Sequence, residues 1–317
     1  MLAFLVRRLI GAVLVCAAVT FIVFVIFIVV PGGDPAQRIA GKNANPQNII
    51  NIRHDWGFDK PFYVQYWVML KKMFGGSLVS YTSQQNVLSQ IRQGLPATFS
   101  LSIGAGIIWL FFGILVGVIS AVTAGRLSDR LITVFALIGI SMPVFWLGLV
   151  CRYYLAEGGL AQIFPDGEYV PLTSNPIQWF WHLLLPWSVL AVLFIGFYGR
   201  VLRGNILDTI NEDYVRTAKA KGLRPRRILV KHVLRTSLIP IVTLFGLDFA
   251  GVLGGGAILT ETVFDLHGVG QYARQSINNF DLPPIMGVTL YGAMFIVAFS
   301  VLVDLFYAYL DPRIRPT

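Results

Sequence analysis

Apolar residues run through this chain in long blocks separated by short polar connections. Residues 9–30 hold 22 consecutive positions without a charge. As a helix that block covers about 33 Å, enough to cross a hydrocarbon core of about 30 Å. Further charge-free blocks occupy residues 96–124, 131–151 and 183–199, the last being the shortest at 17 residues. Residues 237–260 are interrupted only by Asp248, and residues 282–303 continue past Asp304 to Leu310. Backbone polar groups in lipid must satisfy one another, so these blocks are expected to be helices. The pattern predicts an all-α membrane protein with six transmembrane helices. Pro143 and Pro186 fall inside two of them and are expected to introduce kinks, which a bundle tolerates. The first block is longer than a signal-peptide core, and Pro31-Gly32-Gly33-Asp34 after it is a poor cleavage site, so it is expected to be a retained span.

Composition sharpens this picture. Hydrophobic residues make up 56% of the 317 and charged residues 13%, where a soluble domain carries about 25% charge. A soluble globular protein is excluded, and the net charge of +9 becomes a matter of topology. With a cytoplasmic N-terminus the inside segments hold sixteen Lys and Arg and the outside segments eight. Seven of those eight lie in the long connection 31–95, and long loops cross largely regardless of charge. Both termini are therefore expected in the cytoplasm. The chain divides into residues 1–30 (N-terminus and first span), an extracytoplasmic loop or subdomain 31–95, and a core 96–317 that carries the other five spans. Cys16 and Cys151 both lie in apolar blocks, which leaves neither a disulfide framework nor a zinc site.

Within the outer loop, Phe62, Tyr66, Met69, Leu70 and Met73 recur at helical spacing, predicting a short amphipathic helix that caps the outer ends of the spans. Trp179, Trp181 and Trp187 near the start of the fourth span have the look of an interfacial aromatic belt.

The most basic stretch is 213–240. It holds Arg216, Lys219, Lys221, Arg224, Arg226, Arg227, Lys231 and Arg235 against one acid, Asp213. The topology makes it cytoplasmic, within a connection 204–236 between spans four and five. Asn211 or Asp213 can cap a helix through Lys221 that Gly222 ends. Pro225 suits the first turn of a second helix, with Pro225, Ile228, Leu229, His232 and Val233 on one face. Three readings compete: an anchor on anionic lipid, a nucleic-acid patch, and a docking elbow for a cytoplasmic partner. The nucleic-acid reading has no interleaved aromatics to support it. An anchor needs only charge, whereas this segment also has caps, a bend and an apolar face, so docking is preferred.

Little else suggests chemistry. Lys42 follows Gly41, but Ala36 stands where a phosphate-binding loop needs its first glycine. His54, His182, His232 and His267 have no ligand spacing. No catalytic residue, metal site or resident cofactor is expected, and the chain is not expected to be an enzyme. Asp248 is the acid set deep in a span. Either it lines a translocation path or it pairs with a polar group on a neighbouring helix. Gly251, Gly254, Gly255 and Gly256 are spaced for close helix approach. Glu261 and Asp265 begin an outer segment and are candidate contacts at an outer mouth. Asp304 and Asp311 are expected to pair with nearby basic residues.

The string DYVRTAKAKG…KHVLRTSLIP resembles the cytoplasmic coupling loop of binding-protein-dependent ABC importer permeases. Ala218 and Gly222 match the small residue and the glycine of the family's A-x-x-x-G core. Arg216 and Thr217 stand where the general motif has Glu and Ala, as in the oligopeptide/dipeptide branch. PGGDPA, GFDKPFYVQY, ETVFDLHGVGQ and YAYLDPRIR match other pieces of that branch, in its order and over almost the whole chain. The resemblance, to the B-type component, implies a permease subunit of a bacterial plasma-membrane importer for di- and oligopeptides. Relatives in the branch carry nickel or another small solute, and a stand-alone channel or secondary transporter is the reading from another class. It implies as partners a second permease, two ATPase subunits that hold ATP and Mg, and an extracytoplasmic substrate-binding protein. It also implies that Asp213, Tyr214, Arg216, Thr217, Ala218, Ala220, Lys221 and Gly222 contact an ATPase subunit.

Overall fold

A computed structural model of the chain describes residues 2–30, 34–40 and 45–310, without the side chains of 2–5, 8, 38 and 303–310. Residues 31–33, Gly41 with Lys42, the last five residues of the YAYLDPRIR string and the expected pairing of Asp304 and Asp311 lie outside what it describes. Among the described residues there is no strand, only isolated bridges at Val79–Asn86 and Ala156–Phe164. In chain order the helices are α1 (Leu2–Phe24), α2 (Pro35–Ala40), α3 (Pro46–Trp56), α4 (Phe62–Phe74), α5 (Val87–Val122), α6 (Leu127–Ser141), α7 (Val144–Leu155) and α8 (Pro176–Thr209). They continue as α9 (Asp213–Ala220), α10 (Pro225–Ile228), α11 (Leu234–Ser237), α12 (Ile239–Gly251), α13 (Ile258–Val263), α14 (Val269–Asn278) and α15 (Leu282–Leu310).

Among the described residues, five helical stretches are long and apolar enough to span a bilayer: Leu9–Val29, Val87–Val122, Pro176–Thr209, Ile239–Gly256 and Leu282–Leu302. The expected third span is not one helix. α6 and α7 meet at a 100° bend and make a sixth span only if taken together. The cause is Pro143. A proline excludes its predecessor from the helical region, and Met142 is extended at φ −81°, ψ 127°. Pro186, by contrast, lies inside α8 without ending it. At 34 residues α8 is about 51 Å long, longer than a hydrocarbon core.

The chain falls into two compact units. The first comprises Met1–Thr98, Ala250–Ile258 and His267–Thr317. Its core gathers Phe24 and Ile28 of the first span, Ile52 and Trp56 of α3, Met69 of α4, Ile91 of α5 and Met286 of α15. α3 starts where Asn45 accepts a hydrogen bond from the Gln47 amide, with Pro46 in the first turn, and stops at Gly57, whose φ is +63°. α4 is the amphipathic helix expected in the outer loop, with Met69 buried and Tyr66, Leu70 and Met73 packed around it. Phe62, expected on that face, is exposed at the helix start. The loop is pinned by Asp281. Its carboxylate accepts hydrogen bonds from Ser80 Oγ (2.5 Å) and from the amides of Tyr81 (3.2 Å) and Thr82 (3.1 Å). The glycine run does serve close packing. A Cβ on Gly292 of α15 would lie 2.3 Å from the Gly254 carbonyl oxygen.

The second unit comprises Phe99–Phe249 and Leu259–Leu266. α8 is its spine, packed against α6, α7 and α11. Gly196 lets α6 come close, since a Cβ there would lie 2.6 Å from the Ala136 oxygen, and Gly199 does the same for α5, with Val116 Cγ1 at 2.7 Å. Trp187 is not part of an interfacial belt. It is buried, and its Nε1 donates to the Ser100 carbonyl at 2.9 Å. Trp179 also turns inward, donating to Ser100 Oγ at 3.1 Å, while Trp181 remains exposed.

Candidate functional site

The basic segment folds as an elbow at the end of α8. α9 begins at Asp213, and its N-cap is Glu212 with no side-chain cap bond. The cap expected of Asn211 or Asp213 does not form: Glu212 holds the N-cap position, and the Asn211 side-chain amide donates to Leu207 O in the preceding helix. Asp213 instead places its carboxylate in the first turn, where it meets the positive end of the helix dipole. α9 ends with Gly222 at φ +73°. The Gly222 amide donates to Lys219 O (2.9 Å) and the Leu223 amide to Ala218 O (3.4 Å). No atom lies within 4 Å of a Cβ built on Gly222. The left-handed backbone, not crowding within the chain, is what calls for glycine here.

The second arm starts at Pro225 as expected but does not run as one regular helix. α10 passes into a π-turn at Leu229–Val233 before α11. The wider turn resets the buried face to Ile228, Val233 and Ser237, with Leu229 and His232 half-buried. Pro225, expected on that face, is exposed.

Two sets of contacts hold the arms. Tyr214 Oη of α9 donates to Thr236 Oγ1 at 3.2 Å. Asn205 of α8 donates to Ser237 O (3.3 Å), Ser237 Oγ donates to Asn205 O (3.2 Å) and to Thr209 Oγ1 (3.1 Å), and Thr209 Oγ1 donates to Asn205 O (2.7 Å). This polar clasp ties α8 to α11. Sequence reasoning missed it; polar residues four apart at 205 and 209 in a long helix were the available signal.

The elbow therefore has two faces. Val215 and Ala218 are buried within the chain. Asp213, Tyr214, Arg216, Thr217, Ala220, Lys221 and Gly222 are exposed, as are all eight Lys and Arg of the segment. Of the eight residues named for an ATPase contact, Ala218 alone is turned inward. The Arg216–Asp213 pair, at 3.4 Å and almost fully solvated, adds little.

Asp129 was not singled out from sequence. It is buried at the start of α6 and accepts hydrogen bonds from Ser120 Oγ (2.5 Å) and the Gly125 amide (2.9 Å). Arg203 of α8 grips the same carboxylate through Nε and Nη2, both at 2.8 Å. Asp248 belongs to another cluster, where it accepts a hydrogen bond from Tyr198 Oη at 2.7 Å. Tyr198 is buried beside Trp109, which stacks on Phe194 at 4.3 Å. The pairing considered for Asp248 is present, with Tyr198 of α8 as the partner.

The outer-mouth candidates separate. Glu261 is fully buried, because the turn of α13 carries it inward, so it is not presented to an outer mouth. Asp265 is half-buried, at φ +50°. An anchor missed from sequence holds this end: Arg152 Nε donates to Asp166 at 2.7 Å, and Nη1 donates to the Val263 carbonyl at 2.5 Å. The Arg152 hydrogen bond draws the Asp166 carboxyl below its usual range. Among the described residues no group of three or more His, Cys, Asp and Glu could hold a metal.

The chain matches known proteins over nearly its whole length. Residues 113–316 match the model of the binding-protein-dependent transport system inner membrane component, and residues 1–102 match the N-terminal model of such membrane components. A probable peptide ABC transporter permease protein of Sinorhizobium fredii is 37% identical over 98% of this chain and 99% of its own length. A dipeptide transport system permease protein of Alkalihalophilus pseudofirmus is 35% identical over 99% of this chain and all of its own. A probable D,D-dipeptide transport system permease protein of Escherichia coli K12 is 36% identical over 97% and 96%. Among solved structures, a methionine ABC transporter in inward-facing conformations superposes with a TM-score of 0.57, at 17% identity, over 71% of this chain and 97% of its own.

Proposed function

The chain belongs to the binding-protein-dependent transport system inner membrane components, and from that premise we propose that it is a permease subunit of an ATP-driven importer of di- and oligopeptides. It forms half of a translocation pathway with a second, related permease in a bacterial plasma membrane, with both termini and the elbow in the cytoplasm. Two ATPase subunits bind ATP and Mg and do the hydrolysis, and a substrate-binding protein delivers cargo from outside. The cargo assignment is supported by full-length relatives that are named as peptide and dipeptide permeases, which disfavours nickel or another small solute.

The observation that carries the mechanism is the two-faced elbow. Asp213, Tyr214, Arg216, Thr217, Ala220 and Lys221 form the contact surface offered to an ATPase subunit. Val215 and Ala218 seat that surface on the chain's own core, and Gly222 makes the bend. Because the Asn205–Ser237–Thr209 clasp joins the elbow to α8, displacement of the exposed face is transmitted to α8 and to α12 beyond it. Asp248 on Tyr198 is the candidate polar point of the path, and Asp265 the remaining candidate at its mouth.

The test is Gly222→Asp in the reconstituted complex. The side chain projects into open space, and the left-handed backbone costs a non-glycine residue about 1–2 kcal/mol, so the protein should fold and insert. Transport-coupled ATP hydrolysis should be lost; stimulation equal to wild type would reject the assignment.

A further inference from the structure

Along one side of the second unit, α6 and α8 leave a groove that also touches α5. One stretch, about 350 Å³, is lined by Val116, Ile132, Ala136 and Leu137 and ends on Arg200 and Arg203. A second, about 210 Å³, shares Val116, Ile132 and Ala136 and runs on past Gly139 to Val192. Together they make one trough. Val192 to Arg203 spans about 16 Å of helix, close to one leaflet of a hydrocarbon core about 30 Å thick. The floor is shut by the close approach of α8 to Ala136 and Val116. The rim is apolar, with Phe135 71% and Leu137 44% exposed.

Charge is confined to one end of the trough, the end from which α8 continues toward the basic elbow. Arg203 is committed to Asp129. Arg200 is exposed and forms no ion pair among the described residues. Arg130 precedes Thr133 and Leu137 on the same face of α6, at i, i+3, i+7. No acid lines either stretch. The hydroxyls that do line it are spoken for: Ser120 donates to Asp129 Oδ1 and Thr133 to Asp129 O. A peptide laid here would leave its backbone amides and carbonyls unmatched. A hydrocarbon chain needs no partners, and the unpaired guanidinium at the end matches a phosphate, which it can grip through two parallel N–H···O bonds.

We propose that this trough binds one anionic phospholipid, its acyl chain along α8 and its phosphate on Arg200. Basic pockets between helices on the cytoplasmic face favour such headgroups. The proposal is independent of the cargo the importer carries.

Native mass spectrometry of the assembled importer in mild detergent tests it, titrating phosphatidylglycerol against phosphatidylcholine of the same acyl length. One phosphatidylglycerol per copy of this chain should be retained in preference to phosphatidylcholine. Arg200→Gln should lower that retention about fivefold, the loss of about 1 kcal/mol for one basic residue near the headgroup. Leu137→Trp, filling the trough from an exposed position, should lower retention of both lipids. Neither position is buried, so both variants should assemble as wild type does. Equal retention of the two lipids, or retention unchanged in both variants, would overturn the proposal. So would a disulfide between cysteines placed at position 137 and on a neighbouring permease subunit, since protein would then cover the trough.

Discussion

Asp129 and Arg203 show how much of the second unit hangs on single side chains. The carboxylate is almost fully buried and takes four hydrogen bonds, two of them from a guanidinium that is itself partly exposed. Removing one partner of a buried pair strands the other, at about 3–5 kcal/mol; the exposure of Arg203 puts this case near the lower figure. Asp129→Ala should lower the melting temperature of the purified complex by several degrees. A double variant with Arg203→Ala should cost clearly less than the sum of the two single changes, which a double-mutant cycle measures. Asp281 plays the matching part in the first unit. Asp281→Asn should cost about 2 kcal/mol through weaker hydrogen bonds from Ser80, Tyr81 and Thr82, and appear as faster proteolysis within residues 75–86.

Tyr81 adds a pH dependence. Burial, with help from the Asp55 and Asp281 charges, pushes its hydroxyl up to about 12, against the hydrogen bond that Trp56 Nε1 donates to it. An unfolded tyrosine ionises near pH 10. The folded state therefore keeps this contribution in full below pH 10 and loses it as pH climbs through 12. Between pH 10 and 11.5 the melting temperature of wild type should fall more than that of Tyr81→Phe.

At the scale of elements, the elbow was legible where its chemistry is local. Asp213, Gly222 and Pro225 mark a start, a stop and a restart from three residue types alone. The π-turn at Leu229–Val233 was not legible, because no residue type requires it, and it moved the buried face off Pro225. The clasp of Asn205, Thr209 and Ser237 was equally hidden, since it joins residues about thirty positions apart. Ser237→Val should leave the complex assembled but loosen the elbow, by about 1–2 kcal/mol for the lost hydrogen bonds. Transport per ATP hydrolysed should fall while basal hydrolysis persists; an unchanged ratio would show that the clasp transmits nothing. The bend between α6 and α7 follows from Pro143 and its extended predecessor; the kink expected at Pro143 is there, but at 100° it divides the block 131–151 into two helices.

For the whole molecule, the arrangement of spans predicts which loops face which compartment. With Cys16 and Cys151 replaced, a single cysteine at Ser83 should react with a membrane-impermeant maleimide from the outer face of the membrane. One at Lys221 should react only when inverted vesicles expose the cytoplasmic face. Labelling of both positions from one side would overturn the topology.

The sequence by itself determined the apolar spans, the exposed basic elbow, the left-handed stop at Gly222 and the amphipathic helix of the outer loop. Each depends on hydrophobicity or backbone sterics within a few neighbouring residues. Only the tertiary structure decided that Trp187, Glu261 and Ala218 turn inward, that Asp129 meets Arg203 and that Tyr198 meets Asp248. A span that is apolar around most of its circumference carries no mark of its inner face. Its rotation, and with it the partner of every polar side chain it carries, is set by packing against helices remote in sequence.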